Sequence, residues 1–136
     1  VAVKPENMPG AGDVVLKLGD DEVILRCNFA AAQRLSRQPG GLIDLDNESA
    51  DTVYRRIRRH HIDTMAEVIR AGAGLGTNAV PTLPQQIYEF GLLEMNGLLH
   101  AYILNLANGG KPIGTVADDE EDGDGKNPPG ATAKSD

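Results

Sequence analysis

The sequence predicts an α+β fold that is mainly α: an N-terminal β-hairpin packed on a small bundle of three to five helices, with disordered termini. Three observations carry this. Apolar residues alternate on both sides of a Gly-Asp-Asp turn over 14–25. They then recur every three or four positions from about residue 49 to 72, and again over 83–107. The flanks 1–12 and 109–136 are punctuated by Pro and Gly, which sets a single body at 13–108.

In the hairpin, Val14, Leu16 and Leu18 share one face while Val15 and Lys17 take the other; Val23 and Leu25 alternate against Ile24 and Arg26. Asn28 is suited to cap a helix over 29–35, with Phe29, Ala32 and Leu35 expected to face the hairpin and 38–41 (Gln-Pro-Gly-Gly) to stop it. Residues 42–46 read as either a short strand or an irregular link. Val53, Ile57, His61, Met65, Val68 and Gly72 then form one helical stripe. It fits a continuous helix, or two helices broken near 60–63, because Thr64-Met65-Ala66-Glu67 matches a capping box. Gly72, Gly74 and Gly76 end it. Thr82-Leu83-Pro84-Gln85 is a second capping-box match and opens a last helical region to about residue 107, with a bend expected at Gly91.

That last region is unusually apolar. Tyr88, Leu92, Met95, Leu99, Tyr102 and Leu106 make one stripe; Phe90, Leu93, Gly97, Ala101 and Leu104 make a second. A body of under 100 residues cannot easily surround such a helix, so it is expected to serve both as core and as a contact for a partner or a second copy. Leu92, Met95, Leu99, Tyr102 and Leu106 are the candidate partner-binding residues.

The chain has 136 residues and a net charge of −7. Residues 109–136 hold seven acids and three lysines, so this stretch carries −4, and 1–108 is close to balance. After Val116 the tail has no large apolar residue, so burial cannot offset an ordering cost of about 1–2 kcal/mol per residue. The acidic balance disfavours nucleic acid as a partner. No apolar run nears the roughly 20 residues that span a bilayer, and no signal-like segment opens the chain, so membrane and secreted readings are disfavoured. A lone cysteine, Cys27, excludes an intramolecular disulfide and fits a reducing cytoplasm.

The remaining motifs point away from catalysis. Ala71-Gly72-Ala73-Gly74-Leu75-Gly76 has the composition of a phosphate loop but the wrong polarity, since it closes a helix where such a loop opens one. Arg55, Arg56, Arg58 and Arg59 form one basic patch, which would fan over three sides of a helix and could hold phosphate, an acidic partner or the acidic tail. His60, Asp63 and Glu67 share a helical face, but no further ligand follows them except His100. There is no Gly-x-Ser-x-Gly elbow and no Cys–His arrangement with a context. No enzyme activity, metal or cofactor is expected.

The hairpin Gly-Asp-Val-Val-Leu-Lys-Leu…Val-Ile-Leu-Arg (12–26) runs directly into Asn28-Phe29-Ala30-Ala31-Ala32-Gln33-Arg34-Leu35. Met65-Ala66-Glu67-Val68-Ile69-Arg70-Ala71-Gly72 follows, then a glycine-rich break and one last apolar helix. This order, over about 12–108, resembles the phage tail assembly chaperones, in particular the branch shared with gene transfer agents. The resemblance implies a non-catalytic protein of the host bacterial cytoplasm that binds the tail tape measure protein, recruits tail tube protein subunits and is absent from the finished particle. It also implies a longer form made by ribosomal frameshifting in many members. The alternatives are a virion structural or connector protein of the tail and, less favoured, a small DNA-binding regulator acting through Arg55, Arg56, Arg58 and Arg59.

Overall fold

Two strands and five helices follow one another along the described residues, 9–113, of the computed structural model. They are β1 (Val14–Leu18), β2 (Asp21–Leu25), α1 (Phe29–Ser36), α2 (Val53–Arg58), α3 (Ile62–Ala73), α4 (Leu83–Phe90) and α5 (Leu92–Ala107). The α+β, mainly α class holds. The parts of the predicted arm and tail at 1–8 and 114–136 lie outside the described residues.

The alternation over 14–25 becomes an antiparallel pair with Val14 opposite Leu25, Leu16 opposite Val23 and Leu18 opposite Asp21. Gly19 turns the chain at φ +61°, a conformation that costs a residue without Cβ little. Leu16, Leu18 and Leu25 are buried; Val15 and Lys17 face outward. Asn28 then caps α1 by accepting the Ala31 N–H at 2.9 Å. The inward face of α1 is Ala31 and Leu35, four residues apart, with Ala32 half-buried. Phe29 corrects the expectation: it is 76% exposed, because a helix seated on positions 31 and 35 turns position 29 away by about 200°.

Residues 42–46 are an irregular link, in which the Asp44 carboxylate accepts the backbone N–H groups of Asp46 and Asn47. The long stripe over 53–72 is broken. His60 adopts φ +60° and the chain restarts at His61, whose Nδ1 accepts the Thr64 N–H at 3.2 Å. The cap of α3 is therefore His61, exposed at the surface, and the Thr64 capping box does not form. Thr64 lies inside the helix, buried, where its hydroxyl accepts from Arg56 Nε at 3.0 Å. Thr52 caps α2 by accepting the Arg55 N–H.

Gly74, at φ +74°, ends α3. Gly72 lies two residues earlier, where α3 comes close to the hairpin. A Cβ there would come 2.8 Å from the Tyr102 hydroxyl and 2.9 Å from Leu25 Cβ, and the Gly72 carbonyl accepts the Arg26 N–H at 2.8 Å. At α4 the second capping box also fails: Thr82 is helical in φ/ψ, its side chain makes no capping bond, and Gln85 reaches forward to Glu89. Gly91, at φ +112°, separates α4 from α5.

The core gathers around α3, which packs against β2, α1, α2, α4 and α5, and α5 in turn covers α1, α2, α3 and α4. Met95, Leu99, Tyr102 and Ile103 meet Leu16, Leu25, Leu35, Ile57, Met65, Ile69 and Ile87, all essentially solvent-free. The body also extends past 13–108. Asn105 joins both flanks, donating from Nδ2 to the Gly12 carbonyl, accepting the Gly110 N–H at its own carbonyl and the Ile113 N–H at Oδ1. Residues 9–12 and 109–113, assigned to the arms by their glycines, are thus tied to the core; those glycines provide the close approach of one flank to the other. Among the described residues no helix is long and apolar enough to cross a membrane.

Candidate functional site

The candidate partner stripe is the main correction the structure makes. Met95, Leu99 and Tyr102 have no exposed surface, Leu106 is 5% exposed, and Leu92 is half-buried against the core. These five residues hold the molecule together. What α5 turns outward is the second stripe: Leu93 is 80% exposed, Gly97 and Ala101 are exposed, and Leu104 and His100 are half-buried along one edge. The reason lies in side-chain volume. A core is filled to crystal-like density, so the side of an all-apolar helix with Met, Leu and Tyr turns inward, and the side carrying Gly97 and Ala101 is left out. That difference in size was the signal by which the sequence could have separated the two stripes. From 95 to 110 there is no Asp, Glu, Lys or Arg, so the outer face of α5 is uncharged for most of its length.

The basic patch divides. Arg56 is 8% exposed and points inward, donating to Thr64 Oγ1, to the Pro39 carbonyl at 3.0 Å and to the Asp51 carbonyl at 2.5 Å. It joins α2, α3 and the preceding link, so the predicted fan of four free arginines is not formed. Arg59 pairs with Asp51 at 2.6 Å, and that hydrogen bond, assisted by Arg56, holds the Asp51 carboxyl below its ordinary range. Arg55 donates to the Glu48 carbonyl, while Arg58 donates to the Tyr54 hydroxyl at 3.2 Å and lies 5.9 Å from that ring's centre. Tyr54 in turn packs against His100, with ring centres 5.1 Å apart and the planes tilted by 44°. Burial, and then the charge of Arg58, depress the His100 pKa below 6.5, so this patch adjoins a neutral imidazole at pH 7.

The other singled-out residues are dispersed or engaged. Glu67 pairs with Arg70 at 2.6 Å and with Arg34 at 3.7 Å, and His60 has left the helical face it was expected to share with Asp63 and Glu67. Among the described residues no three His, Cys, Asp or Glu side chains are placed to hold one metal ion. The glycine-rich segment closes α3 through Gly74. Cys27 is half-buried at the end of the hairpin, and burial together with Asp13 pushes its thiol up to about 11, which suppresses the reactive thiolate at neutral pH.

Fold and surface together define a small, mainly helical domain whose open feature is an uncharged helix face beside a cluster of arginines. Comparisons with protein-family models, with curated proteins and with solved structures find no match for the chain.

Proposed function

We propose that this protein is a phage tail assembly chaperone: a non-catalytic protein that binds the tape measure protein in the host cytoplasm and recruits tail tube subunits. The order of hairpin, first helix, glycine-rich break and last apolar helix supports the reading as a resemblance. The observation that carries it is the outer face of α5, where Leu93, Gly97 and Ala101 stay exposed, with Leu104 half-buried at their edge, after the core is complete. A long tape measure helix presents apolar stripes of the same kind. An uncharged ridge with two small residues lets such a helix approach closely and leave again, as helix-on-helix recognition requires. The binding residues in this reading are Leu93, Gly97, Ala101 and Leu104, in place of the stripe through Leu99.

Co-expression with a tail tape measure protein tests this. Leu93→Glu with Ala101→Glu, both at exposed positions, is expected to leave the chaperone folded and the tape measure protein insoluble. A tape measure protein that stays soluble and bound with this variant overturns the surface assignment. Finding the protein among the components of purified particles overturns the chaperone role in favour of a structural one.

A further inference from the structure

We propose that the acidic run Asp118-Asp119-Glu120-Glu121-Asp122-Gly123-Asp124 docks, within the same chain, on the arginine face that Arg55 and Arg58 form beside Tyr54 and His100. The first observation is charge left uncompensated. Arg26, Arg34, Arg56, Arg59 and Arg70 each have a carboxylate within ion-pair distance. Among the described residues Arg37, Arg55 and Arg58 have none; Arg37 stands alone after α1, whereas Arg55, resting on a backbone carbonyl, and Arg58, resting on a tyrosine, lie together on α2. Both line a surface hollow of about 470 Å³ that also takes in Leu45, Asp44 and Glu48, whose carboxylates stay outside ion-pair distance of either arginine. A guanidinium held beside an aromatic ring through one Nη keeps its other N–H groups available to a carboxylate.

The second observation is reach. Ile113 is fixed to α5 by its N–H bond to Asn105 Oδ1. His100 lies five residues back along the same helix, about 7.5 Å at the rise of an α-helix. From His100 the contacts run through Tyr54 to Arg58 in steps of 5.1 and 5.9 Å. At full extension Asp118 lies up to about 17 Å and Asp124 up to about 37 Å from Ile113, a span that takes in this face. Six acids in seven residues then meet two arginines at the high effective concentration of a short tether. Individual surface ion pairs are weak, so the contact depends on several acids sharing the face and is dissolved by salt.

Paramagnetic relaxation on the full chain decides this, with a nitroxide attached through Gly125→Cys. The Cys27 thiol is held protonated, so the label goes to the new, ordinary cysteine near pH 7. At low salt the amide signals of 54–58 and 100 are expected to lose at least half their intensity while those of β1 and β2 keep theirs. The loss is expected to vanish in high salt, in a variant with the six acids changed to Asn and Gln, and in Arg55→Gln with Arg58→Gln. Absence of selective broadening at low salt overturns the proposal, as does broadening that survives removal of either set of charges.

Discussion

The Tyr102 hydroxyl donates a 2.6 Å hydrogen bond to the carbonyl of Arg26, joining the middle of α5 to the end of the hairpin across 76 residues of sequence. The phenol is otherwise sealed in the core, and burial is the main cause that raises its pKa. Tyr102→Phe keeps the ring and removes the donor, leaving a buried carbonyl short of a partner. Urea unfolding is expected to show a loss of about 1–2 kcal/mol with an unchanged m-value.

Two glycines on neighbouring helices should respond to alanine with opposite signs. Gly72 has Leu25 and Tyr102 where a methyl group would go, so Gly72→Ala is expected to destabilise by about 1–3 kcal/mol through overpacking. Gly97 lies within α5 with nothing within 4 Å of its missing Cβ. Gly97→Ala is expected to stabilise by about 0.5–1 kcal/mol through helix propensity. Thermal melts of the two variants side by side check the pair of signs.

Glu67 is the counter-ion for an arginine that is 8% exposed at its side chain. Arg70 also donates to the Ala79 carbonyl at 2.7 Å and to that of Val80 at 3.4 Å, which holds a loop where Asn78 and Val80 both have positive φ. Glu67→Gln leaves that buried charge uncompensated, at an expected cost of about 3 kcal/mol. Hydrogen exchange over 76–82 is expected to accelerate more than exchange in the hairpin. Equal acceleration in both places would refute the role given to Arg70 in holding the loop.

Asp13 sets the acid limit of the hairpin. Burial would raise its carboxyl, but the Cys27 and Gly10 N–H groups, at 2.7 Å each, and Arg26, at 3.1 Å, outweigh this and hold it below 3.8. The folded state therefore binds this proton less readily than the unfolded state, whose value is ~3.9. The stability it contributes is complete above about pH 4 and is lost as pH falls through the lower folded-state value. Asp13→Asn is expected to be less stable than the parent at pH 6 and to lose less stability on acidification, as read from urea midpoints between the two pH extremes.

Local physics made much of this molecule legible in the sequence. The hairpin followed from alternation around Gly19, although its turn is one residue shorter than the Gly-Asp-Asp reading because Asp21 pairs with Leu18. The α1 cap followed from Asn28, the end of α3 from Gly74 and the bend from Gly91, because each depends on neighbours within a few residues. The two capping boxes failed for reasons outside their motifs. His61 took the cap position ahead of Thr64, and Arg56 drew the Thr64 hydroxyl into a buried bond. Only the tertiary structure decided which side of α5 was core and which arginines were free. Periodicity establishes that a helix has two apolar sides, but the choice between them is made by the volume available among α1, α2, α3 and α4. That volume accepted Leu99 and Tyr102 and left Leu93, Gly97 and Ala101 outside. Likewise a run of arginines reads as one patch until the fold supplies Asp51 and Thr64 to two of its members, leaving Arg55 and Arg58 facing outward without a counter-ion.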